Sequence, residues 1–216
     1  MRKTSYVVAF FAVVATMVLN IYSVQRPDWL VVHGEDIIHK SVVVSYGLSQ
    51  RCELKVIEVP SGDGGHLTYT NYDCRPFPMR VTDGCEKENR RFCMVWGTAS
   101  YFGSLGIGFA AVACLAILFG VSTHSRRRRI WKSVSVLVAL HVLCQIIVFA
   151  IVTDLYRTDA FPSFERARPG IAYVLNTLSW VFGILVTAGV VTTGISANKG
   201  HRWAAGNRAY RAIPSD

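Results

Sequence analysis

Four stretches of this chain run twenty or more residues without an Asp, Glu, Lys or Arg: Ser5 to Val24, Val95 to Val121, Ser133 to Thr153 and Ile171 to Ala197. At about 1.5 Å per residue, a helix of that length crosses a hydrocarbon core of about 30 Å. Strands satisfy their backbone in lipid only by closing into a barrel, and these runs lack the alternation a barrel needs. They are read as four membrane-spanning helices.

The net charge of +9 is sorted by location and is not read as nucleic-acid binding. Arg2 and Lys3 precede the first run. Arg126, Arg127, Arg128, Arg129 and Lys132 lie between the second and third. Lys199, Arg202, Arg208 and Arg211 follow the fourth. The segments between runs one and two, and three and four, mix acids and bases almost evenly. The positive-inside rule then places both termini and the Arg126 link in the cytosol. The expected layout is an outer loop over 25–94, a cytosolic link over 122–132, a second outer loop over 154–170 and a cytosolic tail over 198–216. A basic start before an apolar run also describes a signal peptide. This run is long for one, and its end, Asn20-Ile21-Tyr22-Ser23-Val24-Gln25, is a poor cleavage site. Its removal would leave three spans with the remaining termini on opposite sides.

Pro27 ends the first helix, and Trp29 falls where a membrane-interface aromatic belt would lie. The first outer loop then reads as strands. Ser41 to Tyr46 is rich in β-branched residues. Cys52 to Val59 alternates charged and apolar residues over most of its length. Pro60 to Gly65 is a strong turn, and His66 to Tyr72 returns as a strand. The hairpin folds about Asp63, with Cys52 and Cys74 each eleven residues from it. Directly opposite strand residues stand about 4.5–5.5 Å apart, within reach of a disulfide. The four loop cysteines allow three connectivities. The geometry favours Cys52–Cys74 and leaves Cys85–Cys93. Free or metal-bound thiols are the alternative, but close pairs of the C-x-x-C kind are absent.

Small residues at helical spacing mark the second and fourth runs: Ala99, Gly103, Ser104 and Gly108, then Gly183 and Gly189. Such faces let helices approach closely in lipid, within the bundle or against another copy. His141 and Gln145 share one face of the third run, where an interhelical hydrogen bond to Asn176 or to a Ser or Thr is expected. Cys114 and Cys144 read as inert small hydrophobes. Arg126, Arg127, Arg128 and Arg129 beside Trp131 would attract anionic headgroups, at about 1 kcal/mol per basic residue. Phe161-Pro162-Ser163-Phe164 in the second outer loop suggests a small apolar contact surface. No catalytic constellation, metal site, cofactor motif or small-molecule substrate is indicated.

The order of parts resembles the claudin superfamily, which includes peripheral myelin and epithelial membrane proteins and fungal claudin-like plasma-membrane proteins. The family's first loop carries a Trp, then Gly-Leu-Trp, two residues and a Cys. Here Trp29, Gly47, Leu48 and Cys52 take those places, and Ser49 stands where the second Trp would be. Cys74 lies further on than in vertebrate claudins, the Cys85/Cys93 pair is additional, and the C-terminus lacks the hydrophobic last residue that binds PDZ scaffolds. The resemblance implies a left-handed four-helix bundle carrying a disulfide-stapled extracellular antiparallel sheet at the plasma membrane. It implies a non-enzymatic protein that organises adhesion, microdomains or a barrier by self-association, with membrane lipids or another membrane protein as partners. An accessory subunit or an oligomeric pore, with Glu53, Lys55, Glu58 and Asp63 setting selectivity, is the alternative. A membrane thiol oxidoreductase using Cys85 and Cys93 is a more distant one. Tetraspanins, with their large loop between spans three and four, do not fit.

Overall fold

The computed structural model describes residues 3–34, 41–60, 66–122, 124–201 and 204, with side chains described outside 3, 41, 57–60, 66–69, 121–122 and 124–129. Four helices, each long and apolar enough to cross a membrane, carry the four runs: α1 (Lys3–Gln25), α2 (Arg90–Ser122), α3 (His124–Arg157) and α4 (Ile171–Asn198). Among the described residues five strands accompany them: β1 (Leu30–Gly34), β2 (Ser41–Tyr46), β3 (Gln50–Pro60), β4 (His66–Pro76) and β5 (Ala167–Pro169). The stretch 122–132, expected as a link, is helical on both sides of residue 123. Arginine favours helix, so the run Arg126–Arg129 extends α3 rather than breaking it.

The described residues fall into two compact units. The first comprises 20–104 and 146–177. It holds the sheet, antiparallel throughout in the order β4-β3-β2-β1-β5. The β3/β4 register runs from Gln50↔Pro76 to Pro60↔His66 and puts Cys52 opposite Cys74, the pairing expected for a fold about position 63. Both expected disulfides are present, Cys52–Cys74 with Cα atoms 4.1 Å apart and Cys85–Cys93 at 5.6 Å. β1 and β5 are additions to the expected strands. β5 comes from the second polar segment and pairs Leu30↔Pro169 through Val32↔Ala167.

The core of this unit is aromatic. Tyr46, Phe77, Phe92, Trp96, Phe161 and Phe164 are all buried, with ring centroids 4.8–6.1 Å apart. Such pairs add about 0.5–1.5 kcal/mol each beyond the area they bury. Phe161 and Phe164 therefore do not form the surface patch expected of them. The 3₁₀ turn Pro162–Arg166 holds both rings inward, and the burial of apolar area decides their place.

The second unit comprises 1–19, 105–145 and 178–216. Its core is Tyr6, Val13, Ala113, Ile117, Trp131, Val134, Val138 and Val190. Ser179 Oγ donates to the Thr16 carbonyl at 3.0 Å. His141 is buried, and its Nδ1 lies 2.9 Å from the Gly106 carbonyl of α2. For His141 the expected interhelical bond exists, with the Gly106 backbone carbonyl as its acceptor. Because a carbonyl only accepts, Nδ1 carries the proton. Cys114 and Cys144 are free and buried.

Candidate functional site

The chain from Tyr46 to Gln50 turns β2 into β3, and this corner carries the motif residues. Gly47 N–H donates to the Gln50 carbonyl at 2.8 Å, and Trp96 Nε1 donates to the Gly47 carbonyl at 3.2 Å. A Cβ on Gly47 would stand 2.7 Å from Pro27 Cα and 2.8 Å from the Arg26 carbonyl oxygen. Glycine is required because the backbone just after α1 lies directly against the turn. Leu48 is buried, close to the backbone of Gly103 on α2. Cys52 is buried and its bridge ties the corner to β4.

Trp29 is not part of an exposed interface belt. It is completely buried, its Nε1 donates to the Ser23 carbonyl at 2.7 Å, and its ring meets Tyr173 edge-on at 6.4 Å. Its backbone joins the sheet as well, with Trp29 N–H on the Tyr46 carbonyl at 3.0 Å and Gly170 N–H on the Trp29 carbonyl at 2.9 Å. Trp29, Gly47, Leu48 and Cys52 thus converge on one joint between α1, the sheet and α2. Ser49 lies outside this joint. It is exposed, and its carbonyl accepts the Phe77 N–H at 3.1 Å.

Gly170 was invisible as a site residue and belongs to the same joint. A Cβ there would fall 2.1 Å from the Asp28 carbonyl oxygen, because the first turn of α4 uses that oxygen as a cap, with Ala172 N–H at 3.3 Å. The only sequence signal was a glycine between a proline and an apolar run.

Near the end of β4, Arg75 forms a two-pronged pair with buried Asp83, at 2.8 and 2.6 Å, and Met79 N–H reaches the same carboxylate at 2.7 Å. Burial alone would push the Asp83 carboxyl up. The Arg75 and Met79 hydrogen bonds and the Arg75 and Arg51 charges outweigh it and hold the carboxyl below its usual range. Asn89 Nδ2 closes the loop on the Asp83 carbonyl at 2.9 Å. This clamp sets the segment that carries Cys85 into the start of α2.

The charges proposed for pore selectivity are engaged locally. Glu53 accepts Arg51 at 2.5 Å and Lys55 at 3.3 Å, and the Arg51 guanidinium stacks 5.2 Å from the Tyr46 ring centre. Glu58 and Asp63 lie outside the described side chains, as do Arg126, Arg127, Arg128 and Arg129, so the headgroup contact expected of those arginines is not reached.

The small residues divide into two groups. Ala99, Gly103 and Gly183 are buried, and a Cβ on Gly183 would sit 2.4 Å from Val142 Cγ2. These serve close internal helix packing. Ser104, Gly108 and Gly189 are exposed, and a Cβ on Gly108 or Gly189 meets nothing within 4 Å. They do not serve internal packing. Gly194, which was not singled out, does: it lies against the Trp131 ring, with a Cβ position 2.4 Å from Trp131 Cε3.

The sheet's outer edge is also open. β4 spans eleven residues and pairs only with β3 among the described residues. From His66 to Arg75 it carries no Pro or Lys, and residues 70–74 are exposed. A comparison with protein-family models finds no matching family, and a search of curated proteins finds no relative.

Proposed function

We propose that this is a non-enzymatic, multi-pass membrane protein of claudin-like type. Its helices form a left-handed bundle in the plasma membrane, both termini face the cytosol and the sheet faces outward. Copies associate side by side to organise adhesion, a membrane microdomain or a barrier. The observation that carries the reading is the open β4 edge. Edge strands are normally blunted by Lys, Pro, a bulge or a covering element, because unpaired N–H and C=O groups recruit further strands. β4 is long, regular and rich in β-formers, and carries no Lys, Arg, Asp, Glu or Pro from His66 to Tyr72; Asp73, Arg75 and Pro76 come only at its end. The exposed stripe Gly97, Ser104 and Gly108 on α2 adds a second self-association surface of the small-residue kind.

The two Cα atoms of the Cys52–Cys74 pair are 4.1 Å apart, the spacing of a pair without mutual hydrogen bonds. Thr70 and Tyr72 share that phase, so their N–H groups point to the open edge. Thr70→Pro removes an outward donor without taking one from β3, and Thr70→Lys blunts the edge by charge. Crosslinking in native membranes should give dimers and larger species for the natural chain and fewer for both variants. Monomers throughout would defeat self-association, and crosslinks only to a different membrane protein would favour an accessory subunit.

A further inference from the structure

Between α1 and α4 the second unit holds a cleft of about 470 Å³ lined by Thr4, Ser5, Ala12, Phe182, Gly189 and Thr193, among others. Its size lies within the range of small-molecule sites, about 300–1,000 Å³. The two helices run antiparallel here. Ser179 meets Thr16, while Tyr6 and Gly194 lie at the other end, each against neighbours around the α2–α3 turn, Gly120 with Ile130 and Trp131. One end of the cleft is therefore hydroxylic, with Thr4, Ser5 and Thr193, and the other is apolar, with Ala12, Phe182 and Leu185. The hydroxylic end also carries a base: exposed Lys199 follows Thr193 by less than two helical turns.

The floor of the cleft is open because of Gly189. A Cβ there meets nothing within 4 Å, so the glycine leaves room that a side chain would occupy. A groove that is apolar along its length, hydroxylic at its mouth and flanked by a cation has the polarity of one lipid molecule. We propose that it seats an acyl chain of an anionic glycerophospholipid from the leaflet at the N-terminal end of α1. The chain lies over Gly189 toward Phe182, and the headgroup sits beside Thr4, Thr193 and Lys199. Basic residues at a membrane surface attract anionic headgroups, while dispersion contacts with the groove hold the tail. The inference rests on the four helices crossing a bilayer and not on self-association.

The test uses the full-length protein in phosphatidylcholine vesicles containing a trace of photoactivatable lipid with a diazirine in its acyl chain. Phosphatidylserine, phosphatidylcholine and cholesterol probes are compared, and the labelled peptides are mapped. The phosphatidylserine probe should label α1 and α4 within 4–12 and 182–193 more strongly than the phosphatidylcholine probe. Unlabelled phosphatidylserine should compete. Gly189→Leu fills the groove and should abolish the difference. Val136→Leu, at an exposed position of α3 outside the cleft lining, should leave it unchanged. Equal labelling by the two phospholipids would show ordinary surrounding lipid only and overturn the proposal. Stronger labelling by the sterol would overturn it as well, and so would phosphatidylserine labelling that Gly189→Leu does not lower. The competition arm needs no variant and decides the matter if Gly189→Leu fails to fold.

Discussion

Single side chains decide the joint between α1 and the sheet. Gly47→Ala would drive a methyl group into Pro27 and the Arg26 carbonyl, an overpacking expected to cost about 2–3 kcal/mol. Thermal unfolding in detergent should show the loss, whereas Ser49→Trp, at an exposed position, should shift stability by no more than about 0.5 kcal/mol. Equal effects from the two would mean that the glycine is not held by close approach. Asp83 gives the pH dependence. Its folded-state pKa is lowered, so its stabilising contribution is complete above the unfolded value, about 3.9, and is lost as pH falls through the lower folded value. Hydrogen exchange over 77–89 should therefore stay slow down to about pH 4 and accelerate below it. In Asp83→Asn, which leaves Arg75 without its carboxylate, exchange should be fast already at neutral pH. A pH-independent wild type would remove the clamp from this account.

At the scale of elements, the two bridges differ in the length of chain they close, with sequence separations of 22 and 8. Loop-closure entropy predicts a loss of about 3.4 kcal/mol for Cys52→Ala/Cys74→Ala and about 2.5 kcal/mol for Cys85→Ala/Cys93→Ala. Unfolding of the two double variants should rank in that order. The helices, three of the five strands and both bridges were legible because apolar length, β-branched runs and a mirror-symmetric cysteine pair each act locally. β1 has little local signal, because Leu30-Val31-Val32 is a run of only three apolar residues directly after Trp29. β5 has no local signal at all. Ala167-Arg168-Pro169 becomes a strand only because β1 offers it a register. The burial of Phe161 and Phe164 was illegible for the same reason, since their neighbours Tyr46, Phe77 and Phe92 lie far away in sequence. The motif corner was found, but the reason for its glycine was not, because its contact with Arg26 and Pro27 is tertiary.

For the whole molecule, an even number of crossings returns both ends of the chain to one side of the membrane. The β3/β4 register joins Pro60 to His66, so 61–65 connects the two strands. A glycosylation acceptor built there by Asp63→Asn with Gly65→Ser should be glycosylated in cells, whereas one placed in the tail after Asn198 should not. The reverse pattern would invert the proposed topology. The small strand β5 also bears on how such a chain is made. Leu30 waits for Pro169, and translation proceeds at about 5–20 residues per second, so the β1 side of the sheet stays uncovered for roughly ten seconds after β2 has emerged. The sheet is finished only once the chain just ahead of α4 has been made. A chain stopped before β5 should therefore linger with a bare β1 edge and become a client for quality control, even with both disulfides formed.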